Sequence, residues 1–272
     1  MPLVSVIVPV RDGERHLRQA LESIVAQTLT DLEVIVVDDG SRDATPAIIA
    51  EFAARDPRVR GLPGPATGSA GDARNAGLAV ATGDYLAFWD ADDQFGPTLL
   101  ADLYARALAD RADIVLTKFT VADERTGQAA PVDWGIRLEY FPEHNPVEPD
   151  EVGDALLIAV NPAPWNKLFR GDFVRQADLR FQSLRRANDV YFTAMALARA
   201  ERLSYLDGYA IEYRIGNEAS LQATRDEAPL EFVEALAELR RGFKAIGGWP
   251  RLERALANLA VELSLTALRK AT

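Results

Sequence analysis

The chain has 272 residues, 48% hydrophobic and 26% charged, a composition typical of a globular protein with a sizeable buried core. Its 41 acidic and 30 basic side chains give a formal charge of −11, which argues against nucleic acid or an anionic bilayer surface as the main partner. The absence of cysteine excludes disulfides, zinc thiolate sites and a thiol nucleophile.

The first half of the chain alternates between strand-like and helix-like patterns. The β-branched run 4–9 predicts a buried strand, and apolar residues then recur at helical spacing over 17–25. The alternation continues with strands predicted at 33–37, 59–62 and 85–89. Between them, helices are predicted from Thr45 onward and at 73–81. This pattern predicts an α/β fold with a mostly parallel sheet flanked by helices, in which ligands bind beyond the carboxyl ends of the strands.

After a predicted strand at 114–117 the alternation fades. Residues 126–150 carry scattered glycine, proline and aromatic residues, which indicates a long loop or irregular insertion over the site, a candidate lid. From Pro229 onward, two apolar stripes separated by the turn 247–250 predict a C-terminal helical hairpin. The stripes are Leu230, Val233, Leu236 and Leu239, followed by Leu252, Leu256, Leu259 and Leu263. The pattern favours packing of the hairpin on its own domain, and a homodimer through these helices stays open.

The apolar run 4–10 has no basic region ahead of it and stops at Arg11 and Asp12, unlike a signal peptide. No later run is long enough to span a bilayer, so we expect no transmembrane segment. Cytoplasm is the expected location, with peripheral association with a membrane complex as the alternative.

Two acidic clusters directly follow predicted strands. Asp38 and Asp39 precede a glycine turn, where a carboxylate can accept a hydrogen bond from a nucleobase or ribose or can merely cap the next turn. Asp90 and Asp92 follow the strand at 85–89, so their side chains can converge on one cation, and hard oxygen ligands favour Mg²⁺ or Mn²⁺. A solvated acidic turn is the alternative for this second cluster.

A glycine-rich turn at 68–71 runs into the helix that carries Arg74. The N–H groups at the start of that helix could face an anion, and Arg74 could reach either a phosphate or a neighbouring carboxylate such as Asp38 or Asp90. Further along, Asp189 stands in the first turn of another helix. Its carboxylate could act as a general base or could only cap the helix. Trp165, beside Asn166 and Lys167, would suit stacking on a sugar ring but could equally pack in the core. His16 and His144 have no partner at ligand spacing, and we expect both to be surface residues.

Taken together, the segments 4–10, 36–41, 73–77 and 89–93 resemble the family 2 inverting glycosyltransferases in order and spacing. The resemblance covers about the first two-thirds of the chain and implies the GT-A fold, a Rossmann-like nucleotide-diphospho-sugar transferase fold. It divides the chain into a catalytic domain at 1–215, with a donor half to about 118 and an acceptor half from about 119, and the helical hairpin at 216–272.

The same resemblance implies roles for individual residues. Asp189 becomes the catalytic base, and Asp92 and Asp90 hold a Mn²⁺ or Mg²⁺ cofactor. The implied donor contacts are Pro9, Val10, Arg11, Asp12, Asp38, Asp39, Gly71, Arg74, Asn75, Asp90 and Ala91. The implied acceptor contacts are Trp165, Asn166, Lys167 and Asn188.

The resemblance implies transfer of a sugar from a nucleoside diphosphate donor, most commonly UDP, to a hydroxyl acceptor in polysaccharide, glycolipid or cell-surface polymer synthesis. Arg11-Asp12 stands where the family usually has an aromatic residue and Asn, and Asn188 stands where Glu usually precedes the base. Two other classes are weighed against it. A catalytically silent sugar-nucleotide-binding module would lack a competent base, and a nucleotidyltransferase would need a basic glycine-rich loop where this chain has Arg11-Asp12-Gly13-Glu14.

Overall fold

One sheet organises residues 1–216 and 230–271, the part of the chain that this computed structural model describes. Its nine strands within those residues are β1 (Val4–Val10), β2 (Leu32–Asp38), β3 (Val59–Pro63), β4 (Tyr85–Phe88), β5 (Gln94–Phe95), β6 (Ile114–Asp123), β7 (Gln128–Val132), β8 (Lys167–Arg170) and β9 (Leu203–Ile215). They lie in the order β3-β2-β1-β4-β8-β6-β9-β5, with β7 paired to β6 off this path.

Helices cover both faces of the sheet. They are α1 (Leu17–Val25), α2 (Thr45–Arg55), α3 (Ala70–Val80), α4 (Leu99–Asp110), α5 (Pro149–Val152), α6 (Leu156–Ala159), α7 (Gly171–Gln176), α8 (Val190–Arg199), α9 (Glu231–Ala245) and α10 (Glu253–Ala271). Alternate residues of β1 enter different cores. Ile7 packs in the core that contains α3 and α8, whereas Val6 and Val8 pack in the core of α1, α2 and α4. Burial on both faces explains why every residue of β1 except Ser5 is apolar.

The predicted α/β class is confirmed, and the predicted parallel arrangement holds for β3-β2-β1-β4. The rest of the sheet is mixed, because β8 is antiparallel to both β4 and β6, while β6 and β9 are parallel. The segment 126–150, expected to be an irregular insertion, is partly regular. It contains β7, which pairs with β6, and a 3₁₀ turn at Leu138–Tyr140.

The predicted helical hairpin is present as α9 and α10. Its inner stripe, including Leu239, Phe243 and Leu256, is buried in the same core as α6 and α8. Leu230 and Val233, at the start of the first predicted stripe, are instead exposed. Residues 217–229 of the predicted unit 216–272 lie outside the described residues, so the division of domains and the homodimer stay predictions. Among the described helices, none is long and apolar enough to cross a membrane.

Candidate active site at the carboxyl edge of the sheet

Strand direction brings the predicted site residues to one edge of the sheet. The strands β1, β2 and β4 are parallel, and β8 is antiparallel to both β4 and β6. Because two reversals restore direction, β6 and its parallel neighbour β9 point the same way as β4. The residues that follow β1, β2, β4, β6 and β9 therefore share the edge where ligands bind in open α/β sheets.

Asp39 organises the part of this edge next to β1 and β2. Its side chain is nearly inaccessible and accepts backbone N–H bonds from Thr67 at 3.2 Å and Gly68 at 2.7 Å. The half-exposed Arg11 guanidinium lies 4.0 Å from the same carboxylate. An open groove of about 560 Å³, lined by Pro63, Thr67 and Asp72 among others, lies beside these contacts. The structure thus places Asp39 and Arg11 together, and Asp39 accepts from Thr67, which lines this groove.

The other predicted donor contacts around β1 and β2 are tied into the loops. Asp38 accepts the Ser41 N–H at 2.9 Å, which is the turn-capping alternative that the sequence left open. Asp12 accepts the Arg42 N–H at 2.7 Å and so joins the loop after β1 to the loop after β2. Pro9 and Val10 are buried at the end of β1 and can meet a ligand only at their backbone edge. Contacts of these four residues with a donor stay predictions.

Asp90, Asp92 and Asp93 form a compact acidic cluster after β4, and Ala91 lies half-buried within it. One carboxylate oxygen from each lies within 4.8 Å of the others. Asp93 is fully buried and accepts the Arg214 N–H at 3.0 Å, while its Oδ2 has no hydrogen-bond partner among residues 1–216 and 230–271. Three hard oxygen donors at this spacing fit a divalent cation.

Burial and mutual repulsion perturb this cluster. Burial, reinforced by the charge of Asp90, raises the pKa of Asp92 to about 6. Burial and the charges of Asp92 and Asp90 raise the pKa of Asp93 well above its usual range. Crowded carboxylates repel one another unless a positive charge lies between them. The electrostatics of the cluster therefore favour binding of a cation.

Arg214 connects the acidic cluster to α1. Its guanidinium lies 3.0 Å from His16 Nδ1 and donates to Gln19 Oε1 at 2.8 Å. His16 also lies 3.3 Å from Glu124 and is only 7% exposed, and burial lowers its pKa. The expectation that His16 is a surface residue is therefore wrong, because the end of β9 and the residues after β6 close over it. His144 is exposed, as expected, beside Glu151.

Arg74 lies at the junction between the acidic cluster and the start of α8. It is 6% exposed and donates to Asp90 at 2.7 Å and to Asn188 Oδ1 at 2.9 Å. Of the two alternatives for Arg74, the structure shows the bridge to an acidic neighbour. Arg74 thereby fixes the position of Asn188, the residue before Asp189, relative to the acidic cluster.

Gly71 and Asn75 hold the loop 181–188 against α3. Asn75 donates to the Phe181 carbonyl at 2.8 Å and accepts the Phe181 N–H at 2.9 Å. A Cβ atom at Gly71 would lie 2.3 Å from the Gln182 carbonyl oxygen and 2.9 Å from Asn188 Cβ. These two residues therefore position the loop that leads to Asp189, and direct contact of either with a donor stays a prediction.

Asp189 stands at the start of α8 without capping it, since its carboxylate accepts no hydrogen bond from the N–H groups of that described helix. The capping alternative is thus not what the structure shows. Burial raises the pKa of Asp189, and the positive charges of Arg74 and Lys167 oppose this shift. A half-buried carboxylate with a raised pKa, next to a bridge to the cation cluster, has the properties of a general base.

Trp165, Asn166 and Lys167 lie in the core and not on a surface that an acceptor could contact. Trp165 is 3% exposed and stacks on Tyr213, in agreement with the core-packing alternative. Asn166 and Lys167 are completely buried, and the Lys167 ammonium donates to the carbonyls of Asn161 and Ala163 and to Asn166 Oδ1 at 2.6 to 2.7 Å. Burial lowers the pKa of Lys167 to about 7, while the charge of Asp189 raises it. A direct acceptor contact by these three residues stays a prediction that their position does not support.

Two residues of the site were not among the predicted ones. Asp93 directly continues the run that contains Asp90 and Asp92, and this position could have revealed it. Arg214 carried no such signal, because β9 has no clear strand pattern and the contact of Arg214 with Asp93 joins distant parts of the chain.

Comparisons with known proteins agree on one family. A family model described as "Glycosyl transferase family 2" matches residues 5–159. The putative glycosyltransferase EpsH of Bacillus subtilis is 31% identical over 217 residues, which cover 79% of this chain and 61% of EpsH. The chain therefore spans about three-fifths of the length of this curated relative.

The similar solved structures include two that contain a nucleotide sugar. The TarS 1-349 structure from S. aureus in complex with UDP-GlcNAc has a TM-score of 0.73 at 24% identity, covering 89% of this chain and 66% of that one. The mannosyltransferase PcManGT from Pyrobaculum calidifontis, in complex with GDP-Man and Mn²⁺, has a TM-score of 0.59 at 22% identity, covering 99% and 75%.

Proposed function

Because this chain belongs to glycosyl transferase family 2, we propose that it transfers a sugar from a nucleoside diphosphate donor to a hydroxyl acceptor, with inversion at the anomeric carbon. The GT-A fold class expected from the sequence is confirmed by the similar structures. The observation that carries the proposal is the Arg74 bridge, which joins the cation cluster at Asp90 to Asn188, the residue before Asp189. A leaving-group site and a base are thus held in one fixed arrangement.

Asp92 and Asp90 would hold the cation, with Mn²⁺ or Mg²⁺ as the candidates. The bound cation would supply positive charge to the departing nucleoside diphosphate, which makes it a better leaving group. Asp93 places a third carboxylate beside these two, and the Arg214 backbone fixes its orientation. The PcManGT complex, which contains Mn²⁺, supports this assignment for a related fold.

A UDP-sugar is the donor that we propose. The TarS complex with UDP-GlcNAc supports it. Asp39 offers a carboxylate that can accept hydrogen bonds, and Arg11 offers a positive charge next to it, beside the open groove. Asp39 already accepts two backbone N–H bonds, so its orientation is fixed before a ligand arrives. A carboxylate that is already held in place loses little conformational freedom when it binds a nucleobase or a ribose.

Asp189 would remove the proton from the acceptor hydroxyl as that oxygen attacks the anomeric carbon opposite the leaving diphosphate. Burial raises the pKa of Asp189 and so makes the carboxylate a stronger base than an exposed aspartate. Inversion of an α-linked donor by this route gives a β-linked product.

The acceptor would belong to polysaccharide, glycolipid or cell-surface polymer synthesis. A further relative, 28% identical over 236 residues that cover 85% of this chain and 39% of its own length, is the poly(ribitol-phosphate) beta-N-acetylglucosaminyltransferase TarS of Staphylococcus aureus. We propose that the chain acts in the cytoplasm, on its own or at a membrane complex.

The test is a panel of nucleotide sugars with Mn²⁺, Mg²⁺ or a chelator, scored by donor hydrolysis and by thermal stabilisation of the protein. We expect one UDP-sugar to stabilise the protein in a metal-dependent way. Asp92→Asn should remove that stabilisation. Asp189→Asn should keep donor binding and lose at least about 100-fold in transfer, the usual contribution of a general base.

Asp172→Asn is the matched control, since this exposed carboxylate lies on α7 away from the cluster. It should behave like the wild type in both assays. Full transfer activity in Asp189→Asn would contradict the assigned base, and donor binding without turnover in the wild type would favour a silent binding module. Binding of every donor regardless of metal would contradict the cation site.

A further inference from the structure

An aromatic cluster reaches from the core to the surface at the catalytic edge. Phe119 and Trp165 are buried, whereas Trp134 is 44% exposed. The Trp134 ring meets Phe119 edge-on at 4.8 Å and Tyr213 edge-on at 6.5 Å between centroids. Tyr213 in turn stacks on Trp165 at 4.7 Å. Trp134 is therefore an exposed aromatic side chain whose orientation is fixed by the buried Phe119 and the half-buried Tyr213.

Gly135 is required for this arrangement. A Cβ atom there would lie 2.2 Å from Phe119 Cε1, so only a residue without a side chain lets the backbone lie flat on that ring. The Gly135 carbonyl also accepts the Asn161 N–H at 3.0 Å. The backbone beside Trp134 is thus held from two sides.

The cluster adjoins both parts of the proposed active site. Asn161, whose N–H donates to the Gly135 carbonyl, accepts at its own carbonyl from Lys167, whose charge acts on Asp189. On the other side, Tyr213 precedes Arg214, whose N–H holds Asp93 of the cation cluster. Phe119 and Tyr213 lie in the carboxyl-terminal halves of β6 and β9, so Trp134, which contacts both rings, lies toward the same edge of the sheet as the proposed site.

The polar groups around Trp134 fit sugar hydroxyls. The Tyr209 hydroxyl donates to Asp133 at 3.1 Å, and Lys118 lies 2.6 Å from Asp207. The carboxylates of Asp133 and Asp207 are largely exposed, so both can accept hydrogen bonds from a ligand. Two carboxylates against one ammonium would repel a phosphate group. A rigid aromatic face with carboxylates at its rim is suited to an uncharged carbohydrate.

We propose that Trp134 is the stacking platform for a sugar ring of the acceptor, and that the acceptor presents a neutral glycan at this position. The inference rests on the proposed transferase function, since it concerns the acceptor of that reaction. It replaces the buried Trp165 with the exposed member of the same aromatic cluster as the residue that contacts the acceptor.

The test compares Trp134→Ala, Trp134→Phe and the wild type. The probes are cello-, malto-, chito- and mannotetraose, with a ribitol phosphate oligomer as the anionic alternative. We expect one neutral tetrasaccharide to act as an acceptor, and Trp134→Ala to raise its KM about tenfold, the effect of truncating an aromatic anchor. Trp134→Phe should restore most of the affinity, and donor hydrolysis to water should be the same in all three proteins.

Tyr140→Ala is the control, because Tyr140 is similarly exposed and lies in the same segment but outside the aromatic cluster. It should leave the acceptor KM unchanged. Binding is also measured without turnover, as quenching of tryptophan fluorescence by the tetrasaccharide in the wild type but not in Trp134→Phe.

An unchanged acceptor KM in Trp134→Ala would overturn the proposal, as would binding of the ribitol phosphate oligomer alone or of none of the probes. Loss of donor hydrolysis in the wild type would overturn the proposed transferase function. Fluorescence quenching that depends on Trp134 would still support the platform in that case. The two failures are therefore distinguishable.

Discussion

Asn188 is one of the residues that determine the charge around Asp189, the proposed base. It accepts a hydrogen bond from Arg74 and adds no negative charge beside Asp189, although Glu is usual at this position in the family that the sequence resembles. The Arg74 charge therefore acts on Asp189 without a competing carboxylate at position 188. This lowers the cost of ionising a half-buried base.

Asn188→Glu should shift the pH dependence of transfer. The base works as a carboxylate, so the rate falls as pH drops through its pKa. A glutamate at 188 would repel the Asp189 carboxylate and engage Arg74, and both effects raise the pKa of Asp189. We expect the acidic limb of kcat/KM to move upward by roughly one pH unit. Asn188→Gln is the matched neutral control, and a shift of equal size in this variant would contradict the electrostatic explanation.

Residue identity predicted some positions of the site better than others. Asp90 and Asp92 were predictable, because two acidic residues directly follow an apolar strand. The burial of Lys167 was not predictable, because a lysine is usually exposed. Here three hydrogen-bond acceptors surround its buried ammonium. Trp134 escaped prediction as well, since its exposure and its neighbours depend on contacts with β6 and β9.

At the scale of elements, α3 acts as a support for the loop 181–188. Ser69 donates to the Leu184 carbonyl at 2.7 Å, and Ser183 donates to Asp72 at 2.7 Å. The Asn75 amide forms hydrogen bonds with both the N–H and the carbonyl of Phe181. These contacts join residues more than a hundred positions apart. They explain how Asp189, the proposed base from the second half of the chain, is held beside the acidic cluster from the first half.

Gly71→Ala should weaken this support. Helix propensity alone would make alanine more stable by up to about 1 kcal/mol. The new Cβ would, however, lie 2.3 Å from the Gln182 carbonyl, and overpacking of this kind costs about 1–3 kcal/mol. We expect a lower melting temperature and at least about a tenfold loss in kcat, with donor stabilisation retained. A variant that melts higher than the wild type with full kcat would refute the close packing.

The strands of the second half show why sequence patterns failed there. The β9 sequence contains Asp207-Gly208, which is typical of a turn, yet the strand continues past it with a register shift against β6. The four-residue β8 has a buried lysine at its first position and so lacks an apolar start. The first half was predictable because β1, β2 and β4 are largely buried on both faces and the helices alternate with the strands.

At the scale of the whole molecule, the hairpin of α9 and α10 completes a core that the sheet and α8 begin. Phe243 is fully buried in that core, together with Leu239 and Leu259. The sequence favours packing of this hairpin on its own domain, and its inner face does share apolar contacts with α6 and α8. The hairpin therefore contributes to the stability of the fold.

Phe243→Ala should lower the free energy of unfolding by about 3–5 kcal/mol, the usual cost of removing a buried phenylalanine. Urea denaturation followed by circular dichroism measures this change. Val233→Ala on the same helix is the control, since Val233 is 51% exposed and should change stability by less than about 0.5 kcal/mol. Equal effects of the two substitutions would show that the hairpin does not pack as described.

The place of β8 in the sheet has a consequence for how substrates enter and leave. Backbone hydrogen bonds tie β8 to β4 on one side and to β6 on the other, so the strands that precede the cation cluster and those that precede Trp134 belong to one continuous plate. Such a plate cannot swing open about a hinge between two lobes. We therefore expect admission of donor and acceptor to depend on rearrangement of loops along its rim, while the spacing between the acidic cluster and Asp189 stays constant.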